Sequence, residues 1–303
     1  MKRRKLGTSN LFVSEIGLGC MSLGTDYSKA QAVIDAALEE GINYFDTADL
    51  YDFGENEKTV GQALKKVRDQ VIISTKAGNR WTDAKDSWTW DPSKAYIKEA
   101  VKQSLKRLNT DYIDLYQLHG GTIEDNIDET IEAFEELKDE GYIKYYGISS
   151  IRPNVIREYG QKSNIISVMM QYSILDRRPE EEALPFLHDH NISVVTRGTV
   201  AKGMLSDRML EKAASKGYLD YSYEELEEVL PLLKEKLASS RSLAEVAIQY
   251  NLANPAVASV VAGASTPEQI KENARAASSA SLSAEEIKLI KSITKANKYD
   301  QHR

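Results

Sequence analysis

Cysteine is almost missing from this sequence: Cys20 is the single one in 303 residues. One thiol excludes an intramolecular disulfide and fits a reducing compartment, so a cytoplasmic protein is expected. Histidine is scarce as well, with His119, His188, His190 and His302 the whole set. With one cysteine beside them, a Cys/His structural zinc site is not expected, and no metal is assigned. No apolar run approaches the roughly 18 residues of a membrane span. The basic start MKRRK is not followed by the apolar stretch of a secretory signal. Positive charge is in the minority, 39 Lys and Arg against 46 Asp and Glu, for a net charge of −7. That balance argues against a general nucleic-acid or anionic-membrane partner and says nothing of oligomeric state. Linkers, low-complexity tracts and long repeats are also lacking.

What is present is a globular composition, 42% hydrophobic and 28% charged, on a length that fits one large α/β barrel or two ordinary domains. Short β-branched or aromatic runs predict core strands near 14–20, 42–47, 71–76, 112–119, 143–150, 166–173, 192–198 and 257–263. Between them lie stretches such as KAQAVIDAALEE, AYIKEAVKQSLKRL and IDETIEAFEELKDE, whose apolar residues recur at three and four, as on a one-sided helix. Asn56 is a candidate cap for the helix after the second strand. Eight strands alternating with helices predict a parallel sheet closed into a (β/α)8 TIM barrel, one domain over residues 1–303. RRKLGTSNLFV ahead of it reads as an N-terminal β-hairpin. Two connections are long: one carries Trp81, Trp88 and Trp90, and residues 204–242 read as a charged helical insertion after strand seven.

In such barrels the reacting groups occupy the C-terminal ends of the strands. The second strand ends in Asp46 within YFDTADLY, with Tyr51 just beyond it; the third ends in Lys76 and the fourth in His119. Taken singly each has a plain reading. Asp46 and Lys76 make a structural ion pair, His119 a hydrogen-bonded core histidine, and Tyr51 is one of 16 tyrosines. Delivered together to one rim they point to chemistry. A free phenol has a pKa of about 10, and a nearby ammonium favours its phenolate. A buried lysine in turn needs a carboxylate to keep its charge. The set is suited to exchange a proton with an oxygen without a metal, as a carbonyl becoming an alkoxide requires. GLGCMSLG at 17–24 suggests a dinucleotide fingerprint, but Ser22 stands where its third glycine belongs. In GASTPEQ, Ser265 or Thr266 can cap a helix with Pro267 at its first position.

FDTADLYDFGENE, Lys76 and LYQLHG resemble the signatures of the aldo-keto reductase superfamily, and GISS, MMQYS, TRGTVAKGML and VAGASTPEQIKENA follow in the family's order. The similarity runs from about residue 5 to about residue 292 and looks nearest to the bacterial branch related to potassium-channel β subunits. It implies a (β/α)8 barrel that binds NADP(H) without a Rossmann domain and acts on a small-molecule carbonyl substrate. It implies a catalytic tetrad of Asp46, Tyr51, Lys76 and His119, with Tyr51 as general acid. Cys20 and Met21 would line nicotinamide and ribose, and Ser149 and Gln171 would hold the carboxamide. Arg197, Gly198, Thr199, Val200, Ala201 and Lys202 would cradle nicotinamide and pyrophosphate. Gly263, Ala264, Ser265, Gln269 and Asn273 would meet the adenosine end. The chain departs from the family in places. It has Ser150 where asparagine is common and Arg197 where an aromatic stacks on nicotinamide, a change that would favour the reduced cofactor. Ser265 and Gln269 stand where Lys or Arg meets the 2′-phosphate, leaving Lys202, Lys271 or Arg275 to supply charge.

The expected activity is therefore NADP(H)-dependent reduction of aldehydes or ketones, in a pocket lined by Tyr51, the 81–90 loop and the 204–242 insertion. Two rivals stand beside it: a lyase or aldolase using Lys76 as a Schiff-base nucleophile, and an NADPH-binding regulatory subunit with little turnover.

Overall fold

The computed structural model describes residues 1–212 and 215–303; Ala213 and Ala214, inside the expected 204–242 insertion, lie outside the described residues. The chain opens with an antiparallel hairpin, β1 (Arg3–Lys5) and β2 (Phe12–Ser14). The elements that follow are β3 (Ile16–Gly19), α1 (Tyr27–Glu39), β4 (Tyr44–Asp46), α2 (Glu55–Leu64) and β5 (Ile72–Ala77). A second hairpin, β6 (Asn79–Trp81) and β7 (Trp88–Trp90), precedes α3 (Lys94–Leu108). Then come β8 (Ile113–Leu118), α4 (Ile127–Asp139), β9 (Ile143–Ser149), α5 (Pro153–Lys162), β10 (Ser167–Gln171), α6 (Ala183–Asp189) and β11 (Ser193–Arg197). The last stretch holds α7 (Met209–Lys212), α8 (Tyr223–Leu237), α9 (Leu243–Leu252), β12 (Val257–Gly263), α10 (Pro267–Ser278) and α11 (Ala284–Ile293).

Strands β3, β4, β5, β8, β9, β10, β11 and β12 are parallel neighbours in that order, and β12 pairs back onto β3. This is the (β/α)8 barrel the alternation of strands and helices predicts. The extra hairpin within the long third connection was not foreseen. Asn56 does not cap α2. Gly54 holds the cap position, and Asn56 turns inward instead, accepting from Thr47 Oγ1 (2.7 Å) and donating to the Cys20 carbonyl (2.8 Å). Tying together the loops after β3 and β4 outweighs the capping preference of asparagine there. Thr266, as expected, caps α10 with Pro267 behind it.

The strand period of two divides the core in two. Residues pointing outward, such as Phe45, Ile73 and Tyr116, pack with the helices in one large apolar layer. Residues pointing inward, including Tyr44, Ile72, Leu115, Met169 and Val195, form a separate cluster, closed from below by Leu6, Leu11 and Val13 of the hairpin. Continuing each inward row toward the strand's C-terminal end turns it polar. Tyr44 is followed by Asp46, Ile72 by Ser74 and Lys76, Leu115 by Gln117 and His119. Likewise Met169 is followed by Gln171 and Val195 by Arg197. The barrel is thus apolar below and polar above, and the polar end is where the candidate residues converge.

Helices α2 and α3 approach closely at Gly61, where an added Cβ would lie 2.2 Å from the Leu108 carbonyl oxygen. Helix propensity alone favours alanine at that position by about 1 kcal/mol. The contact predicts the opposite sign: Gly61→Ala destabilises by roughly 1–3 kcal/mol through overpacking. Thermal unfolding followed by circular dichroism checks this, and a raised midpoint would contradict the close approach.

Candidate active site

Lys76 is the pivot of the polar end. It has no exposed surface, yet its Nζ carries hydrogen bonds to Asp46 Oδ2 at 2.6 Å and to the Thr47 carbonyl at 2.7 Å. Both acceptors come from the end of β4, next to β5 in the sheet with Asp46 paired to Ser74. Burial works against the ammonium, but Asp46 and then Tyr51 outweigh it and hold the Lys76 pKa above its ordinary value. Burial raises the Asp46 carboxyl, and Lys76 pulls it back. An ammonium has three donors, and two are taken. Tyr51 lies beside it, with its ring centroid 5.3 Å from Nζ.

The backbone just after Tyr51 is unusual. Asp52 and Phe53 adopt φ of 48° and 49°, and Gly54 follows at 87°. Non-glycine residues held there cost of order 1–3 kcal/mol each. Phe53 is braced edge-on against Trp81, with centroids 6.0 Å apart. This tight turn brings Tyr51 back over the strand ends, where its ring meets that of His119 edge-on at 5.9 Å. His119 Nδ1 is buried without a protein partner. Burial, followed by the charges of Lys76 and Arg197, pushes the His119 pKa down to about 3. His119 is therefore neutral at physiological pH and acts there through a ring N–H or a lone pair, not as an imidazolium. All four tetrad candidates are brought together.

Tyr51 and His119 open onto a cleft of about 800 Å³ lined also by Met21, Trp88, Ser149 and Arg197 among others, with Asp46 and Lys76 buried behind them. That volume falls in the range of small-ligand sites. Gln171 reaches its edge with both ends of its amide engaged. Its Oε1 accepts from Arg197 (3.1 Å), while its Nε2 donates to Asp176 (2.8 Å) and to the Tyr218 hydroxyl (3.2 Å). Cys20 is placed differently from expectation. On β3 the inward positions are Gly17 and Gly19, so Cys20 points outward into the helix layer, and its thiol leans on the Leu18 carbonyl at 3.6 Å. Burial pushes that thiol's pKa up. The side chain of Cys20 does not line the cleft, whereas its neighbour Met21 does and is 65% exposed.

Apart from Arg197, the positions expected at the pyrophosphate and adenosine lie outside the cleft lining. Ala201 and Lys202 take positive φ of 46° and 57° in the turn after β11, which also holds Gly198 and Val200. Thr199 is buried and bonded to Asn251. Gly263 ends β12, and Ala264 is clasped by Ser22 through its N–H (2.9 Å) and its carbonyl (3.0 Å). The Ser265 amide donates to Gln269 Oε1 at 2.7 Å, and Asn273 lies further along α10. Arg275 is drawn toward Glu245 at 3.6 Å.

The pocket walls also differ from expectation. Trp88 lines the cleft, but Trp81 packs under Phe53 and Arg107, and Trp90 donates to Asp125 at 3.0 Å. Among the described residues no part of 204–242 lines it. Among the described residues the insertion reaches site residues through the Tyr218–Gln171 hydrogen bond and, at its start, through the Met204 and Leu205 amides donating to the Ala201 and Val200 carbonyls. Its place is taken by Tyr299, Asp300, Gln301 and His302 of the C-terminal tail, together with Asn79, Ser150, Arg152 and Arg178. The tail is fixed by the Asn154 N–H donating to the His302 carbonyl (2.9 Å) and by the Lys298–Glu181 pair (2.8 Å). Apart from Ser150, which ends a predicted strand and was noted as a departure from the family, sequence reasoning missed these residues. The one available signal was for Arg152, two positions beyond that strand end.

The model of the Aldo/keto reductase family matches residues 15–295. An "Uncharacterized oxidoreductase YqkF" from Bacillus subtilis (strain 168) is 62% identical over 307 residues, covering all of both chains. The "NADH-specific methylglyoxal reductase" of Escherichia coli (strain K12) is 33% identical, covering 91% of this chain and 93% of its own. Among solved structures, the holo form of aldo-keto reductase AKR11C1 from Bacillus halodurans superposes with a TM-score of 0.95. It is 61% identical over 100% of this chain and 99% of the other.

The buried neutral imidazole has a consequence for stability. In the unfolded chain His119 titrates near its ordinary 6.5, whereas in the folded one it stays neutral down to about 3. Below pH 6.5 the unfolded state alone binds that proton. The contribution is therefore complete above 6.5 and is lost as pH falls toward 3. In urea titrations between pH 7 and pH 4, wild type should lose up to about 1.4 kcal/mol per pH unit more than His119→Gln. Parallel profiles would show that His119 takes up its proton in the fold as readily as in water.

Proposed function

The chain belongs to the aldo/keto reductase family, and from that membership we propose that it is an NADP(H)-dependent reductase of aldehydes and ketones with Tyr51 as general acid. The family's enzymes are oxidoreductases that use a nicotinamide cofactor on small molecules. The observation that carries the finer reading is the Lys76 ammonium, clamped by Asp46 and the Thr47 carbonyl, beside Tyr51 at an open cleft.

A bound reduced nicotinamide supplies the hydride that reaches the carbonyl carbon. The rest falls to the chain's own residues. Tyr51 gives its phenolic proton to the carbonyl oxygen as negative charge gathers there. Lys76 stabilises the phenolate left behind, and Asp46 keeps Lys76 charged while doing so. Neutral His119, edge-on to the Tyr51 ring, offers the same oxygen a hydrogen bond. A lysine whose pKa is held up is a poor Schiff-base nucleophile, so the same pair that favours the reductase weighs against the lyase reading.

The residues present suit such a cofactor at its nicotinamide end. Met21, Ser149 and Arg197 share the cleft with Tyr51 and His119, and Gln171 is bonded to Arg197. Arg197, Gly198, Thr199, Val200, Ala201 and Lys202 would hold the pyrophosphate. Gly263, Ala264, Ser265, Gln269 and Asn273 would hold the adenosine half at the start of α10, whose N-terminus favours anions. A second reading concerns the cofactor alone. Ser265 and Gln269 are uncharged and bonded to each other, and the Escherichia coli relative is named NADH-specific. Both features favour NADH.

The test follows NADPH and NADH absorbance with 4-nitrobenzaldehyde, methylglyoxal and a sugar aldehyde. Wild type should turn over with NADPH preferred, and Tyr51→Phe should lose roughly 10²–10⁴-fold. Full activity in Tyr51→Phe refutes the acid assignment. A higher kcat/KM with NADH transfers the cofactor assignment. Borohydride trapping of a carbonyl on Lys76 would return the lyase reading.

A further inference from the structure

On a chain of net charge −7 the cleft is locally cationic. Its charged lining is Arg152, Arg178 and Arg197 against Asp300 alone, with His119 neutral and His302 at the rim. The three arginines are not equivalent. Arg178 is committed to Asp176 through two bonds of 2.7 and 2.8 Å and covers the Tyr299 ring at 4.7 Å. Arg197 donates to Gln171, on the side of the barrel that leads to β12 and the expected cofactor positions. Arg152 lies two strands away, on the β8 side of β10. It follows β9, and its guanidinium donates to the Gly121 carbonyl, two residues beyond His119.

Among the described residues Arg152 pairs with no carboxylate, although the protein forms many surface ion pairs, including several with longer-reaching partners. It is half-buried and is held by one backbone acceptor, so most of its five N–H donors remain for a ligand. A guanidinium kept partly from water, without a counter-ion, and anchored at a fixed distance from the reacting group is suited to a planar oxyanion. We propose that Arg152 is the specificity-determining residue for a carbonyl substrate that also bears a carboxylate, bound with its carbonyl at Tyr51 and His119 and its carboxylate at Arg152. This names the substrate class of the reductase reading and rests on it. Asp300, exposed on the tail, faces the same space and disfavours substrates carrying two carboxylates.

The experiment pairs an acid with its own methyl ester, so that the ring scaffold and the reacting group are shared, and the change of ratio on removing Arg152 cancels their difference in carbonyl reactivity. With the protein saturated in NADP⁺, isothermal titration compares 4-(hydroxymethyl)benzoate with its methyl ester. In parallel, kcat/KM is measured for 4-carboxybenzaldehyde and its methyl ester with NADPH. Wild type should bind the acid at least about tenfold more tightly and reduce the corresponding aldehyde with a matching preference, expressed mainly in KM. Arg152→Leu should bring the acid-to-ester ratio to within about twofold, and Arg152→Lys should retain part of it. A ratio near one in wild type overturns the proposal, as does a ratio that survives Arg152→Leu. A matching loss of NADPH affinity in Arg152→Leu also overturns it, because the guanidinium would then serve the cofactor. Selective, Arg152-dependent binding of the acid without reduction of either aldehyde would uphold the anion site and remove the reductase reading instead. Thermal midpoints of the variants confirm that each ratio is read on folded protein.

Discussion

A lysine ammonium with no solvent exposure is the constraint around which the upper half of this barrel is organised. Bringing such a charge into a protein interior carries a penalty of several kcal/mol unless partners replace the lost water. Here the replacements are one carboxylate oxygen and one backbone carbonyl, both from the last turn of β4. Removing either partner of a buried pair typically costs about 3–5 kcal/mol, because the survivor is left uncompensated. The register of β4 on β5 is therefore fixed by electrostatics at its end as much as by packing along its length. The pair also shapes what surrounds it. It leaves one donor for Tyr51, and its positive charge helps keep His119 neutral.

The same constraint explains the change from apolar to polar along each inward row. Below, the hairpin residues Leu6, Leu11 and Val13 close the barrel and water is excluded. In the middle, Gln117 Nε2 donates to the Ser74 hydroxyl at 3.0 Å, forming a small polar layer without charge. At the top, His119 and Arg197 line the cleft, with Lys76 buried beside Tyr51 and Gln171 bonded to Arg197. Because successive residues of a strand face opposite ways, each polar side chain could enter the barrel only at one parity. The outward-facing neighbour of Lys76, Thr75, serves the helix layer instead, donating to Glu57 at 2.6 Å, and Glu57 in turn pairs with Arg107 at 2.6 Å.

This parity is why so much of the site was legible. A β-branched run that ends in a charged residue says both where the strand stops and which end of the barrel that residue occupies. Asp46, Lys76 and His119 announce themselves that way, whereas Arg197 came only from the family resemblance. Cys20 shows the limit, since its strand is short and only the packing of Gly17 against Tyr44 tells which face is inward. Asn56 shows another limit: local capping preference yielded to a tertiary bond between two loops. Arg152, Arg178 and the tail residues could not be placed, because no local pattern brings residue 302 beside residue 154. The insertion misled for the converse reason. Its helical pattern was clear, but the pattern says nothing about where a surface helix docks, and none of its described residues lines the cleft.

The cleft's charges then divide by how firmly they are held. Lys76 is pinned on two sides and buried, so its field is strong and fixed, which suits a group that must stabilise charge arising within the reaction. Arg197 is exposed and held only by an amide, so its field is softer and screened by salt. Yet it still reaches His119, whose proton affinity it lowers together with burial and Lys76. The result is a concave cationic surface on an acidic protein, and such a surface concentrates anions where its field lines converge. Keeping His119 neutral is the complement of that design. A third cation at the reacting centre would compete with Tyr51 for the role of proton donor, whereas a neutral imidazole leaves the phenol as the group best placed to give one.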